Sequence, residues 1–378
     1  MPEVSMSLAE KVGQLFMVGV EGTEVTPELE AWMTTYGWGG VILFGRNVRS
    51  PAQVLSLTQG LQTAVRARGH PPLLIAVDQE GGRVARLKAP FTAFPSAAVV
   101  GHTGSEELTR NVGRALATEL CAVGITMDMA PVLDVLSNPD NTVIGDRAFS
   151  TDPQSVARLG TAFLRGIQAA GIIAVGKHFP GHGDTLLDSH VALPVCERTG
   201  VQLSACELLP FEAAIAAGLD AIMTAHVIYK AWDADLPATL SSAILTGILR
   251  RKIGFQGVII SDDLGMAAVS ETMPWEEVPV QALRAGVDLL LICHQRERQE
   301  QAYARVLGAV QRSELPEALV DRAVARIHTL KSRLHRQSRA VANPASLACI
   351  GGPEHLALAA SIGAQSTPQA MRRDSHGA

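Results

Sequence analysis

The sequence predicts an α/β protein built as a single (β/α)8 barrel of the TIM type with a C-terminal helical extension. Eight short apolar runs recur along the 378 residues, and most are continuous rather than alternating. That pattern is expected of parallel strands buried on both faces. Helix-like segments separate the runs, and no GxGxxG or P-loop motif follows any of them. Missing phosphate-binding motifs argue against a nucleotide-binding sheet, and eight βα units favour a closed barrel.

The helices between the runs carry their own boundary signals. Gly124, Gly171 and Gly218 stand at even spacing at the ends of three helical patterns. Glycine there can adopt the left-handed conformation that closes a helix before a strand, so we predict repeated βα units. Ser7 and Glu10 form a capping-box pattern at the first helix. The strands are predicted near Gln14–Val20, Gly40–Phe44, Leu73–Asp78, Ile125–Ala130, Ile172–Gly176, Asp220–Thr224, Val258–Ser261 and Asp288–Cys293.

Two regions are predicted along the chain. Residues 1–334 form the barrel domain, because the alternation of runs and helices stops after Ile327. Residues 335–378 form an extension with one more helical stretch, around Glu354–Ile362. The polar tail that starts at Gln365 is predicted to be disordered.

Composition limits the partners that this chain can have. The formal net charge is −5 and no long basic run occurs, so a nucleic-acid partner is not expected. We find no signal peptide and no apolar stretch near the ~18–20 residues that span a bilayer. Five scattered cysteines without a CxxC pair fit free thiols in a reducing compartment. We therefore expect a cytoplasmic protein without a membrane partner, and we expect a monomer.

Polar side chains gather after the predicted strands, at the end where a barrel carries its active site. They come from segments far apart in the sequence, and a solvated rim would not need acids and bases beside so many apolar strands. They are Asp78 and Arg86 after the third strand, Arg147 beyond the fourth, Lys177 and His178 after the fifth, His226 after the sixth, and Asp262 with Asp263 after the seventh.

The densest polar stretch is KHFPGHGDTLLDSH, at residues 177–190. Its histidines, aspartates, glycines and proline exclude a helix or a core strand, so we predict a shaped loop over the barrel mouth. Asp188 and His190 are two residues apart, and the carboxylate can accept a hydrogen bond from one imidazole nitrogen. Such a bond would orient the ring, raise its basicity and leave the other nitrogen for a substrate.

This loop resembles the signature loop of bacterial family 3 β-N-acetylglucosaminidases of the peptidoglycan-recycling type. GGVILFGRN, VDQEGGRVARL, APVLDV, VIGDRAFS, MTAHVIY and GVIISDDLGM resemble the same family in the same order, over roughly residues 8–335. Departures are Gly265, where the family commonly has serine, and the apolar pair Leu186-Leu187. By matching position, the resemblance implies that Asp262 is the nucleophile, that His190 is the general acid/base with Asp188 as its partner, and that Asp78, Arg86, Arg147, Lys177 and His178 hold the terminal sugar.

The resemblance implies a retaining exo-β-N-acetylglucosaminidase acting on terminal, non-reducing N-acetylglucosamine of peptidoglycan-derived fragments. Asp262 would attack the anomeric carbon, and His190 would protonate the leaving oxygen and then deprotonate water. A histidine, with an unperturbed pKa of ~6.5, suits both tasks near neutral pH. No step needs a metal or an organic cofactor, so we expect neither. The expected partner is a small carbohydrate, either a muropeptide or a disaccharide.

Other functions remain open on the residues alone. A histidine acid/base repels phosphate less than a carboxylate would, so a β-N-acetylglucosaminide phosphorylase is one alternative, and a broad-specificity family 3 β-glycosidase is another. A metal-dependent hydrolase would usually place an HxH pair at an early strand, and the sequence has none. A non-catalytic sugar-binding module would not need a nucleophile and an acid/base together.

Several of the polar residues have plainer structural interpretations. Asp262, taken alone, could equally be a helix cap, and a cap is the preferred interpretation for Asp263. His226 is expected to be a packed, hydrogen-bonded residue. His182 and Asp184 are expected to stabilise the loop, and Arg83 to form a surface salt bridge of small energy.

Overall fold

Eight parallel strands form one barrel in the computed structural model, which describes residues 6–185, 193–270, 272–337 and 344–365. Each strand pairs with the next along the chain, and the last pairs with the first. A parallel bridge between Ile260 and Leu289 closes the ring. The strands are β1 Phe16–Gly19, β2 Gly40–Leu43, β3 Leu74–Val77, β4 Met127–Asp128, β5 Ile173–Phe179, β6 Ala221–Thr224, β7 Val258–Ile260 and β8 Leu290–Ile292.

All eight predicted strands are confirmed in place, although seven are shorter than predicted, β4 most of all, and β5 extends further. β5 runs on to Phe179, so Lys177 and His178 lie within the strand rather than after it. Every residue of β5 is buried, including these two polar ones. β1, β2, β3, β7 and β8 are also buried throughout, as their continuous apolar runs predict.

Helices surround the barrel and two short pairs of strands lie outside it. Gln79–Gly81 pairs antiparallel with Val84–Ala85, and Val195–Cys196 pairs parallel with Ile228–Tyr229. A π-helical segment, Ala243–Lys252, follows β6. The helices are α1 Leu8–Gln14, α2 Pro27–Tyr36, α3 Pro51–Ala67, α4 Ala97–His102, α5 Glu106–Ala122, α6 Pro153–Ala169, α7 Gly200–Ala205, α8 Leu208–Ala216, α9 Ala267–Ser270, α10 Glu277–Ala285, α11 Arg296–Gln311, α12 Glu317–Gln337 and α13 Pro353–Gln365.

The predicted helix boundaries are confirmed at both kinds of signal. The Ser7 hydroxyl accepts from the Glu10 amide, and the Glu10 carboxylate accepts from the Ser7 amide, which completes the capping box of α1. Gly124, Gly171 and Gly218 have φ of 77°, 86° and 89°, in the left-handed region that ends a helix. These turns feed the chain into β4, β5 and β6.

The C-terminal extension packs on the outside of the barrel against α5. Glu119 of α5 is buried, and its carboxylate accepts from the Gly351 amide at 3.1 Å and lies 2.8 Å from His355 Nδ1. Ile362 of α13 is fully buried in the common core. The predicted helix around Glu354–Ile362 is therefore confirmed. The boundary at residue 334 stays a prediction, and the tail after Gln365 lies outside the described residues.

One expectation about apolar stretches needs correction. Residues Ala345–Ala364 are long and apolar enough to cross a membrane, judged by length and composition alone. Alanine, leucine and glycine dominate this window, and Glu354 is the one charged residue in it. In the structure the window is divided between a 3-10 turn, Pro344–Cys349, and α13.

Candidate active site

A cavity of about 500 Å³ opens at the C-terminal ends of the strands. Its wall includes three of the predicted site residues, Asp78, Arg86 and Asp262. Phe44 after β2 and Arg298 at the start of α11 border the same space. The cavity thus joins side chains from opposite parts of the chain, as the clustering of polar residues after the strands predicts.

A network of ion pairs forms one side of this mouth. Lys177 Nζ donates to Asp78 Oδ1 at 2.8 Å and to Glu80 Oε1 at 2.7 Å. Arg147 donates two hydrogen bonds to Glu80, from Nε to Oε2 at 2.8 Å and from Nη2 to Oε1 at 2.7 Å. Arg86 Nη2 lies 3.5 Å from Asp78 Oδ2 at the more exposed edge. Four of the five predicted sugar ligands therefore meet within one network or at its edge.

Opposite charges keep this buried network ionised. Burial would raise the pKa of Glu80, but the charges of Lys177 and Arg147 bring it well below its usual range. Burial would lower the pKa of Lys177, but the carboxylates of Asp78 and Glu80 hold it above its ordinary value. Fixed carboxylates and cations without bulk water are suited to bind the hydroxyl groups of a sugar.

His178, the fifth predicted sugar ligand, is held by a carboxylate beneath it. Its Nδ1 lies 2.6 Å from Oδ2 of Asp134, a fully buried residue. Arg147 Nη2 lies 3.4 Å from the other ring nitrogen, Nε2. Since Asp134 can only accept and Arg147 can only donate, the proton of a neutral His178 resides on Nδ1. Nε2 is then an acceptor that faces the network.

Asp262 lies in the turn that follows β7. Its Oδ1 accepts from the Asp263 amide at 2.8 Å. Burial would raise its pKa, but the neighbouring His226 and His178 and the Asp263 amide together bring it below its usual value. The side chain therefore stands ionised at the wall of the cavity at neutral pH.

The residues around Asp262 hold its turn in place. Asp263 Oδ1 accepts from the amides of Gly265 and Cys293, so it caps the turn and ties it to the end of β8. α9 begins only at Ala267, so Asp263 is not the helix cap that we expected. His226 is packed and hydrogen-bonded as expected, with Nε2 3.0 Å from the Asp263 carbonyl oxygen. Burial lowers the pKa of His226, while the nearby carboxylate of Asp262 opposes that shift.

The start of the polar loop is fixed from below. His182 is buried, its Nδ1 lies 2.7 Å from Thr185 Oγ1, and burial lowers its pKa to about 4. Asp184 pairs with Arg198 at 2.8 Å. Both residues thus stabilise the loop, as expected. Asp188 and His190, the predicted acid/base pair, lie outside the described residues, as do Leu186 and Leu187.

Arg83 forms the surface ion pair that the sequence suggested. Its Nε lies 2.8 Å from Asp146 Oδ1, and both side chains are about half exposed, at 48% and 47%. Such a pair adds little stability. Nη2 of Arg83 also donates to backbone carbonyls of the loop beyond β4, so the side chain has a local structural role.

Three buried carboxylates at this mouth were not assigned by sequence reasoning. Glu80 and Asp134 lie inside the motifs VDQEGGRVARL and APVLDV, but neither motif shows which cation or ring each acid meets. Asp128, at the end of β4, accepts from the Gln79 amide at 3.0 Å, and burial raises its pKa well above its usual value. The sequence did contain one indication of these residues: an acidic residue beside an apolar run. A buried charge is costly unless it is paired, so such an acid needs a partner.

The described residues of this mouth form no cluster of metal ligands. Within the described ranges, no group of three histidine, cysteine, aspartate or glutamate side chains could hold a metal ion. His178 of β5 lies against Asp134, and His182 of the polar loop lies against Thr185.

Several known proteins are similar to this chain in fold and in sequence. The family model described as the glycosyl hydrolase family 3 N-terminal domain matches residues 7–330. A β-hexosaminidase of Thioalkalivibrio sulfidiphilus is 43% identical over 321 residues, which cover 83% of this chain and 89% of that protein. The structure of a glycoside hydrolase family 3 β-N-acetylglucosaminidase from a Paenibacillus species has a TM-score of 0.92 at 42% identity, covering 96% of this chain and 69% of that one. Native NagZ from Neisseria gonorrhoeae has a TM-score of 0.74 at 31% identity, covering 94% and 98%.

Proposed function

This chain belongs to glycoside hydrolase family 3, and on that premise we propose that it is an exo-acting enzyme that removes terminal β-linked N-acetylglucosamine with retention of configuration. Glycoside hydrolase activity follows from the family and from relatives named β-hexosaminidase. The names of its relatives make N-acetylglucosamine the sugar to expect. The retaining mechanism and the exo mode of action are the finer parts of the proposal.

The observation that carries the proposal is an ionised carboxylate beside a preformed polar pocket. Asp262 stands at the cavity wall with a lowered pKa, and Asp78 of the ion-pair network lines the same cavity. Retaining hydrolysis needs a carboxylate nucleophile on one face of the sugar and a proton donor at the leaving oxygen. Asp262 supplies the first, with Asp78, Arg86, Arg147, Lys177 and His178 as the ligands of the terminal sugar.

The second group in the proposal is His190, with Asp188 as its partner. Asp262 attacks the anomeric carbon while His190 gives a proton to the leaving oxygen, and the sugar remains bound to the Asp262 carboxylate. His190 then takes a proton from water, which attacks the same carbon and releases the sugar. In each step one bond to the anomeric carbon forms, another breaks and one proton is transferred. After both steps Asp262 is again ionised and His190 again carries its proton.

We further propose that the substrates are peptidoglycan-derived fragments met in the cytoplasm. The polar loop and its flanking motifs, which resemble the peptidoglycan-recycling type, support this substrate class. A cytoplasmic location of the enzyme and its substrate agrees with the cysteines, because the five in the described residues are all free thiols. The buried thiols Cys196 and Cys293 have raised pKa values because of burial, which suits an inert structural role.

The test compares a chromogenic β-N-acetylglucosaminide with the matching β-glucoside. We expect kcat/KM to be much higher for the acetamido sugar, because the relatives of this chain are named β-hexosaminidase and β-N-acetylglucosaminidase. Comparable values on both substrates would instead indicate a broad-specificity β-glycosidase. Repeating the assay in phosphate buffer and looking for sugar 1-phosphate separates hydrolysis from phosphorolysis; the proposal expects free sugar only.

A further inference from the structure

We propose that Glu80 is a positioning residue that holds Arg147 and Lys177 side by side before the sugar arrives, and that its charge makes the pocket select an uncharged sugar. The inference rests on the proposed function, because it takes these two cations as sugar ligands. The carboxylate of Glu80 is buried and bonded to both cations, so Glu80 acts through them.

The contacts of Glu80 join three segments of the chain. One oxygen, Oε1, accepts from Lys177 Nζ and Arg147 Nη2, each at 2.7 Å, while Oε2 accepts from Arg147 Nε at 2.8 Å. The side chains of Glu80, Lys177 and Arg147 are only 5%, 2% and 12% exposed. Two cations buried so close together would repel each other without a carboxylate between them.

The backbone that carries Glu80 is itself fixed. The neighbouring Gln79 side chain accepts from the Arg86 and Leu87 amides at 2.9 and 3.0 Å and donates to the Leu87 carbonyl at 2.9 Å. Gly81 has φ of 93°, and a Cβ there would lie 2.7 Å from the Pro95 carbonyl oxygen. Glu80 is thus presented by a short hairpin that has little freedom, which is the property expected of a preorganising group.

Glu80 supplies one of the two negative charges of the ion-pair network. Asp78 supplies the other, Lys177 and Arg147 supply two positive charges, and Arg86 adds a third at the edge. Removing the charge of Glu80 therefore makes the network more positive by one charge. An anionic sugar would then gain affinity relative to a neutral one, because a buried charge is weakly screened.

The test measures binding of two sugars by calorimetry: N-acetylglucosamine and its counterpart oxidised to a carboxylate at C6. For Glu80→Gln we expect neutral-sugar affinity to fall roughly tenfold to hundredfold, the usual cost of losing a hydrogen-bonded charged partner. The affinity ratio should shift toward the carboxylate sugar by roughly tenfold or more. Glu80→Asp keeps the charge but shortens the reach, so both affinities should fall together. Asp146→Asn, which breaks the half-exposed pair with Arg83, should change neither.

The ratio of the two sugar affinities distinguishes loss of the Glu80 charge from partial unfolding of the variant. A variant that is partly unfolded binds less of both sugars, but its ratio of affinities stays that of the wild type. An unchanged ratio in Glu80→Gln overturns the charge role, and wild-type affinity for N-acetylglucosamine in that variant overturns the positioning role. Binding needs no turnover, so a wild type that binds the sugar without cleaving its glycosides refutes the proposed function but leaves the Glu80 inference testable. A wild type that binds neither sugar refutes the inference.

Discussion

At the scale of single residues, the chemistry requires a nucleophile that is ionised before the sugar arrives. Asp262 meets that requirement, because its histidine neighbours and the Asp263 amide outweigh the effect of burial on its pKa. The proposed acid/base must do the opposite and exchange a proton in each half of the reaction. That difference makes the two residues separable by mutation.

His190→Ala is expected to slow most the cleavage of substrates with poor leaving groups. A sugar leaving group needs protonation as the bond breaks, whereas a nitrophenolate hardly does. Cleavage of a disaccharide should therefore fall far more than the first step with an aryl glycoside, and the sugar–Asp262 adduct should accumulate because no base activates water. Intact-protein mass spectrometry under turnover detects the adduct, and Asp188→Ala should give a weaker version of the same pattern.

The matched control for this experiment is Asp262→Ala. It should lose turnover by several orders of magnitude on both substrates and form no adduct. Its free energy of unfolding should fall by no more than the ~1 kcal/mol that a lost helix cap costs. A uniform loss without adduct in His190→Ala would remove His190 from the mechanism. An early-melting Asp262→Ala with near-normal activity would make Asp262 a cap.

At the scale of elements, the loop after β5 is anchored by contacts along its first turn. Tyr229 Oη donates to the Gly181 carbonyl at 2.6 Å, and Asn141 Nδ2 donates to the His182 carbonyl at 2.7 Å. Gly183 packs directly on the chain after β4, since a Cβ there would lie 1.6 Å from the Val135 carbonyl oxygen. These contacts fix the described part of the loop, up to Thr185.

Gly183→Ala is therefore expected to displace the loop. The added methyl cannot fit against Val135, so the two segments must separate by an ångström or more. Misplacement of that size costs about a hundredfold in rate when it moves a reacting group, so kcat/KM should fall by that order. Circular dichroism should remain native. Gly247→Ala is the control, because its Cβ would meet only the Ser242 carbonyl oxygen, at 3.8 Å; equal activity of both variants would contradict the proposed anchor.

The elements also show what the sequence can and cannot predict. The eight strands were predictable because burial on both faces leaves an apolar run in each of them. The end of β5 was missed because Lys177 and His178 interrupt that run, although both are buried and paired with acids from other segments of the chain. Asp134 meets His178 across 44 positions of sequence, and Glu80 meets Arg147 across 67. Such pairings depend on strand order and loop direction, which local patterns do not record.

At the scale of the whole molecule, the opposite end of the barrel holds a buried amine. Lys331 of α12 is 3% exposed, and its Nζ donates to Gln14 Oε1 of α1 at 2.6 Å. Burial lowers the pKa of Lys331 to about 7, since no carboxylate among the described residues forms an ion pair with it. An unfolded lysine has a pKa of ~10.4, so the unfolded chain binds more protons between these two values. Stability therefore rises with pH across that window.

Comparison with Lys331→Met isolates this effect. Other groups also titrate in the alkaline range, but they are the same in both proteins. The free energy of unfolding of the wild type, relative to Lys331→Met, should rise by about 1.4 kcal/mol per pH unit between roughly pH 7 and 10. Urea denaturation at pH 7, 8 and 9 measures the difference. The lost bond to Gln14 adds a constant offset only, so a pH-independent difference would show that Lys331 titrates normally in the fold.

Closure of the barrel has a consequence for how the chain is made. β1 pairs with β8 through Phe16 and Leu290, so the first strand to be synthesised needs the last as its neighbour. At about 5–20 residues per second, tens of seconds pass between their appearance on the ribosome. During that interval β1 has an open edge, which can pair with another strand and aggregate. Slower translation lengthens this interval, so the yield of native enzyme is expected to fall when synthesis between β1 and β8 is slowed.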